Sequence, residues 1–599
     1  MTFGRQVIAW LPALLAFIPL GLIALAGLFS RMKIDDFCVV AVAQRHDVWG
    51  TMLYYVNSWS GSYTRFLLIG ALGPLDQLAP ASAPLLIVAL WFCSLSWLIY
   101  EGLNWLGMLN SRWTTAFALS AITISATVYA FPSERAMYWY VANTAYALPF
   151  APISAFLALS LRVARQGEIS GKALLAGAII CFLSAGLAEA FVTLQLCLFA
   201  CCLILAMVAL RGSARYQLVL MLGAGWAASL ASLIVQLLSP GVVKRSLAVS
   251  QDTRIPPVRS LPDLLTGTIE NTFAFLSDPQ ITAGFLLLTA IGMLYMLTRR
   301  TLPPMKPEER PARLHAPLVW LGMVVQLLCL PILWSYVSDN PQFLGRFSIR
   351  YAPFVLLNMI AIAAYATLLW GRAGANWRLR QYGPRLRTIL NVLLVIVSTL
   401  LAFEIMAIRI YAWFYLLCTI GLFLAALVWE SPATAPLLSP RRGSFLLMIC
   451  LAITWLCQAS VAATVLFARG EVFIRTMTAG PYLLMISGLA WGAFLGYWLR
   501  GPLQTSQLTR TWKTATQLVL IAVILVLASA MVRDQLALLD LYQGHARQWD
   551  TNHARILSMR ESGESPIIVD PMPRSFGNYM SQRDSVCYYG VPVNVNEER

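Results

Sequence analysis

Apolar residues in this chain run in long blocks separated by short polar intervals. The clearest blocks span 7–30, 83–106, 190–210, 281–297 and 515–531. A hydrocarbon core about 30 Å thick needs about 20 residues of apolar helix to cross it. Backbone groups in lipid have no water to bond, so such blocks must be helical. The pattern predicts roughly fifteen membrane-spanning helices. They fall near 7–30, 81–108, 113–131, 144–164, 172–188, 190–210, 216–238, 280–298, 316–335, 350–371, 388–408, 410–430, 444–468, 481–499 and 515–532. The alternating strand-length segments of an outer-membrane barrel are absent. The fold class that follows is an all-α polytopic membrane protein.

The polar intervals set the orientation. Basic residues cluster at 299–313, 372–387, 441–442 and 500–513, in tight loops between apolar blocks. Placed inside, together with Arg5, they put the N-terminus in the cytoplasm and the C-terminus outside. About half of the 43 Lys and Arg then lie on each side, whereas most of the 27 acids lie outside. Ala24-Leu25-Ala26 looks like a cleavage site. The apolar block continues past it, so an uncleaved first helix is expected. The organisation is a membrane domain, 1–532, and an outer tail, 533–599. Outer loops cover 31–65, 131–143, 239–279 and 336–349. The apolar stretch 66–72 is too short to span. In the tail, Leu536, Leu539, Leu541, Trp549, Ile556 and Leu557 predict an amphipathic helix along the membrane surface. Pro566 to Pro571 bracket a strand-like piece. The tail is too small to fold alone and is expected to dock on the outer loops.

Composition fits this picture. Hydrophobic residues make up 59% of the 599 positions and charged residues 12%, against about 25% charged in soluble domains. The net charge of +16 belongs to the loop clusters, so nucleic acid is not an expected partner. No Walker motif marks an ATP-driven pump, and no repeat of two halves marks a secondary transporter. Gly492-x-x-x-Gly496 is a helix-packing pattern with no functional weight. Of the 11 cysteines only Cys38 and Cys587 lie outside the apolar blocks. Two free thiols are the expectation, with a disulfide as the alternative in an oxidising compartment.

Candidate chemistry concentrates in the outer segments. Asp35-Asp36 follows the first helix, and a carboxylate in an apolar setting is a natural general base. A solvated helix start is the plainer alternative. Trp59-Ser60-Gly61-Ser62-Tyr63-Thr64-Arg65 interleaves aromatic, hydroxyl and cationic groups, as sugar recognition requires. So does the segment from Glu134-Arg135 through Tyr138-Trp139-Tyr140 to Asn143. Interfacial aromatic belts have the same composition. Glu134, Trp59, Tyr63, Trp139, Tyr140 and Asn143 are the candidate sugar and acceptor residues. Arg65, Arg135, Lys244, Arg245, Arg254, Arg346 and Arg350 are the candidate phosphate-binding residues; Arg259 shares their loop. Glu189 and Glu404 sit near the outer ends of apolar helices, where a carboxylate is costly. No cofactor is required, a divalent cation (Mg, Mn or Ca) is an optional partner of the acids, and four scattered histidines make zinc unexpected.

These features together resemble the GT-C superfamily of polytopic glycosyltransferases. Asp35-Asp36-Phe37 stands where that family carries an acidic motif at the start of a large first outer loop. Trp59-Ser60-Gly61-Ser62-Tyr63 is similar to a W-S-G-R-Y segment of a poorly characterised bacterial branch, with Ser62 where Arg is common. Trp139, Tyr146 and Pro149 match its F-W-x-x-G-x-x-N-Y-x-W-P segment, with Ala142, Ala145 and Leu148 departing from it. Gln548-Trp549-Asp550, Arg555-Ile556 and Tyr588-Tyr589-Gly590 resemble its tail. The resemblance implies an inverting transferase of the bacterial inner membrane. Its donor is a polyprenyl-phosphate-linked sugar, its acceptor a cell-envelope glycan, lipid or protein, and Asp35 or Asp36 its base. A surface-glycan polymerase or ligase, and a lipid-linked-sugar flippase, are the alternatives.

Overall fold

A computed structural model describes residues 3–105, 113–131, 135–210, 212–250, 278–298, 440–469, 474–500, 507–564, 567–570 and 580–595, with isolated positions at 264, 267–268 and 271. The predicted helices 316–335, 350–371, 388–408 and 410–430 lie outside the described residues, as do Glu134, Arg254, Arg346 and Arg350. The other predicted spans are mainly helical where they are described, with 144–164 interrupted. Seven helices among the described residues are long and apolar enough to cross a membrane. The protein is an all-α membrane protein.

In chain order the helices begin with α1 (Phe3–Leu28), α2 (Asp36–Arg45), α3 (Val48–Ser58) and α4 (Tyr63–Leu72). A 3-10 turn leads to α5 (Ala79–Trp105), then α6 (Trp113–Tyr129), α7 (Arg135–Tyr138), α8 (Tyr140–Tyr146) and α9 (Phe150–Gln166). Next come α10 (Gly171–Ala185), α11 (Glu189–Ala209), α12 (Gly212–Leu237), α13 (Pro240–Ser250) and α14 (Pro279–Thr298). The described chain ends with α15 (Pro440–Arg469), α16 (Ala479–Arg500), α17 (Gln507–Glu561), β1 (Ile567–Val569), α18 (Gln582–Tyr589) and β2 (Val593–Val595).

Two departures from the sequence expectation have local causes. The predicted span 144–164 is broken into α8 and α9, because Pro149 disfavours helical backbone at the residue before it. Residues 536–557 do not form a separate surface helix. Instead α17 runs unbroken for 55 residues, about 80 Å at 1.5 Å per residue. That is more than twice the depth of a hydrocarbon core, so its second half carries Leu539 and Tyr542 against the bundle and Trp549 and Ile556 to the first loop. Arg533-Asp534 interrupts the hydropathy, but neither Pro nor Gly stands between Gln507 and Tyr542 to end the helix.

The packing divides into two cores. One fills the bundle, with Trp91, Phe150, Phe191, Phe285, Tyr482 and Trp491 buried in it. The second joins the first loop to the tail. Phe37, Val40, Tyr55 and Phe66 pack there with Trp549, Ile556, Tyr589 and Val593. β1 and β2 close this second core as a parallel pair, Ile567 opposite Val593 and Val569 opposite Val595. The first loop and the tail therefore share one end of the bundle.

Within the bundle, α14 and α16 approach backbone to backbone. A Cβ on Gly492 would lie against the Thr289 carbonyl, and one on Gly496 would lie 2.5 Å from the Met293 carbonyl. Small residues permit this spacing, and close packing is what holds helices together in lipid. Gly492→Ala is expected to lower stability by about 1–3 kcal/mol, as overpacking does. Gly102→Ala, which meets open space, is the control. Thermal unfolding in detergent checks both; equal melting of the two variants would contradict the packing account.

Candidate functional site

The site begins where α1 ends. Lys33, Ile34, Asp35 and Asp36 form a tight turn in which the Asp36 amide donates to the Lys33 carbonyl at 2.9 Å. Ile34 has φ of +48°, followed by Asp35 at φ −66°, ψ −12°. That sequence of angles is the one in which glycine usually takes the first place. A β-branched residue there is strained by about 1–3 kcal/mol and persists only where its surroundings enforce it.

Asp36 supplies the enforcement. Its side chain is wholly buried. One carboxylate oxygen accepts the Lys33 N–H at 3.0 Å, and the other accepts the Val141 N–H of α8 at 3.0 Å. Burial pushes its acidity well below that of an ordinary carboxyl, with the Asp35 charge adding to the effect; the two amides and the Lys33 ammonium oppose it. Asp36 is thus a structural acceptor that joins the first loop to the second.

Asp35 is placed differently. It opens to solvent on one side while protein surrounds the rest. Burial raises its pKa, its own amide and the cations Arg65 and Arg475 lower it, and Asp584 of α18 raises it; the net direction is up. An accessible carboxylate with raised basicity is what a general base needs.

Cations gather opposite. Arg65 opens α4, and its place is set by the preceding segment. Thr64 N–H donates to the Gly186 carbonyl at 3.1 Å, and a Cβ on Gly61 would lie 2.6 Å from the Gln236 carbonyl. Among the described residues no acceptor meets the buried Arg65 Nε. Burial lowers its pKa, while Tyr146, Glu189 and Asp35 raise it and Arg245 lowers it. Arg245 pairs with Glu189 at 2.5 Å, and the Ser60 hydroxyl donates to the same carboxylate at 3.2 Å. Arg475 sits 5.0 Å from the Trp139 ring centre. It was missed from sequence, although a cation in the short interval between two predicted helices, which holds Arg469 and Arg475, is a signal of the same kind as the other candidates.

Several candidate residues find other partners. Tyr63 is buried, with its hydroxyl donating to the Phe182 carbonyl at 2.9 Å and bonded to Ser232 at 2.8 Å. Tyr140 and Asn143 are fully buried, and the Asn143 amide donates to the Met137 carbonyl. Trp139 is 6% exposed. These four side chains are thus buried, and among the described residues the Trp139 Nε1, the Tyr140 hydroxyl and the Asn143 Oδ1 meet no hydrogen-bond partner. Trp59 remains exposed. Lys244 donates to the Asn57 carbonyl at 2.9 Å from an exposed position. The side chain of Arg135 is outside the described residues. Among the described residues no three of His, Cys, Asp and Glu gather as metal ligands would.

The tail covers the turn. Arg31 makes a two-pronged pair with Asp550 at 2.7 and 3.0 Å. Lys33 Nζ donates to the Tyr542 hydroxyl at 3.1 Å. Phe37 packs on Trp549, Tyr588 and Tyr589. Cys38 and Cys587 are joined as a disulfide, which corrects the expectation of two free thiols. The cause is the tail's docking, which brings their Cα atoms to 5.1 Å, within disulfide range. Burial, followed by the charges of Lys33 and Arg31, holds His545 down to about 3.

No protein-family model, no curated protein and no solved structure matches this chain.

The two acids are expected to separate in a stability measurement. Asp36→Asn sets an amide NH2 against one of two N–H donors and costs about 1–3 kcal/mol. Asp35 has a folded pKa above its usual value, so whatever stability its protonation contributes is present at low pH and fades as pH rises through the folded value. Asp35→Asn removes that dependence and leaves stability at neutral pH equal or higher. Unfolding in detergent from pH 4 to 8 reads both; a larger loss from Asp35→Asn contradicts the assignment.

Proposed function

We propose that the chain is an inverting glycosyltransferase that moves a sugar from a polyprenyl-phosphate donor to a cell-envelope acceptor. The end of the bundle that carries the first loop and tail is then the outer face of a bacterial inner membrane. The observation that carries this reading is the turn itself: Asp36 locked by two amides, Asp35 left open, and Arg65 and Arg475 within electrostatic reach of it. The resemblance of Asp35-Asp36-Phe37 and of the tail segments to the GT-C superfamily supports it. So does the disulfide, which suits an oxidising compartment.

In this mechanism Asp35 takes the proton of an acceptor hydroxyl. The acceptor oxygen attacks the anomeric carbon from the face opposite the phosphate. The bond from that carbon to the phosphate oxygen breaks, and polyprenyl phosphate leaves with the electron pair. Arg65, with Arg245 and Arg475 nearby, stabilises the growing negative charge. Arginine matches phosphate geometry with paired donors, and a buried guanidinium gains from an incoming anion what its own burial costs. Asp36 holds the turn, so that Asp35 meets the acceptor in one geometry.

The test offers purified protein in nanodiscs a panel of radiolabelled polyprenyl-phosphate sugars with crude envelope acceptors. Wild type is expected to move label to acceptor. Asp35→Asn is expected to lose about 10²–10⁴-fold in rate, the usual contribution of a positioned base. Full transfer by Asp35→Asn would overturn the assignment of the base.

A further inference from the structure

The disulfide joins two helices at matching places. On α2, Cys38 lies three residues after Asp35; on α18, Cys587 lies three residues after Asp584. One turn of helix on each side puts a carboxylate beside the same covalent link. Asp584 is itself fixed, because its Oδ2 accepts from the amide and hydroxyl of Ser581 at 3.0 and 2.6 Å. It is nine-tenths buried, and its charge is felt by Asp35. The tail therefore contributes a carboxylate and a wall to the region around Asp35.

Cys38 and Cys587 are half-buried rather than sealed. The other described cysteines, among them Cys181, Cys197 and Cys457, are free thiols within the bundle helices. Among the described residues this is the one covalent link between tail and first loop. The other ties to α18 are non-covalent: Tyr588 and Tyr589 pack on Phe37, and single hydrogen bonds add to this. Arg45 donates to the Cys587 carbonyl at 2.8 Å, the Tyr588 hydroxyl donates to Asp76 at 2.6 Å, and Tyr589 bonds His553 at 2.8 Å. Net hydrogen bonds of this kind contribute about 0.5–1.5 kcal/mol each.

We propose that Cys38–Cys587 is a thiol–disulfide exchange site that acts as a clasp: closed, it holds α18 and Asp584 against the Asp35 turn; open, it lets α18 move away and disables the site. A dithiol opens it. One thiolate of the dithiol attacks one sulfur, the second thiol resolves the mixed disulfide, and two electrons and two protons pass to Cys38 and Cys587 as the dithiol leaves oxidised. A disulfide donor of the same class closes it by the reverse path. The bundle, with its separate core, keeps its fold in both states.

The activity arm of this proposal rests on the transferase reading; the mechanical arm does not. The experiment uses the full chain in nanodiscs, with dithiothreitol as the dithiol, maleimide mass mapping to confirm that both thiols are freed, and hydrogen exchange read over residues 36–45 and 582–589. Opening is expected to speed exchange in both helices by about tenfold or more, with the bundle helices unchanged. Label transfer is expected to fall by about tenfold or more, as a misplaced site does, and to return on reoxidation. The Cys38→Ala/Cys587→Ala variant is expected to match the reduced protein and to ignore dithiothreitol. Should that variant fail to fold, reversible reduction of wild type gives the same readings. Unchanged exchange with both thiols labelled overturns the clasp, and so does unchanged transfer in a protein that transfers. Faster exchange in a protein that moves no label from any donor supports the clasp as a lock and counts against the transferase reading alone.

Discussion

The site depends on one buried carboxylate holding two backbone amides. Asp36 accepts from Lys33 within its own turn and from Val141 on a helix more than a hundred residues later. Without that pair of bonds Ile34 has no reason to stay at positive φ, and the first loop has no fixed relation to the second. Removing a buried acceptor leaves its donors bare, which is why such a bond matters more when broken than when made. The neighbouring carboxylate is left open by the same arrangement. Two adjacent acids thus take opposite roles, and the backbone around them decides which takes which.

The tail extends this logic. One helix continues without a break from its apolar first half and carries Tyr542, Asp550 and Trp549 to the turn. Its return through α18 brings Asp584 and the disulfide to the other side. The first loop and the tail stand at opposite ends of the sequence yet share a core. Neither half of that core has enough apolar surface to fold by itself, so each orders the other.

Much of this was legible in the sequence, for reasons that are physical. Apolar blocks long enough to cross a membrane have few alternatives to helix, and each block within the described residues is one. The adjacent acids after α1 stood out because paired charges beside a membrane are costly. What could not be read was which acid would be buried: that depends on Val141, whose amide no local pattern announces. The positive φ at Ile34 was hidden because isoleucine is the wrong residue to expect there. The aromatics at Tyr63, Tyr140 and Trp139 read as a platform for sugar, yet composition does not show that all three rings are buried. The disulfide joins positions 549 residues apart, and only the docking of the tail brings them together.

Under the proposed function, Asp35 reacts and the cations hold phosphate. Binding of a short polyprenyl phosphate without sugar, measured by titration calorimetry in nanodiscs, tests that division most directly. Asp35→Asn is predicted to bind at least as tightly as wild type. Arg65→Gln is predicted to bind about tenfold to a hundredfold more weakly, the loss of charge-assisted hydrogen bonds. Equal binding by Arg65→Gln, or binding lost with Asp35→Asn, would contradict it.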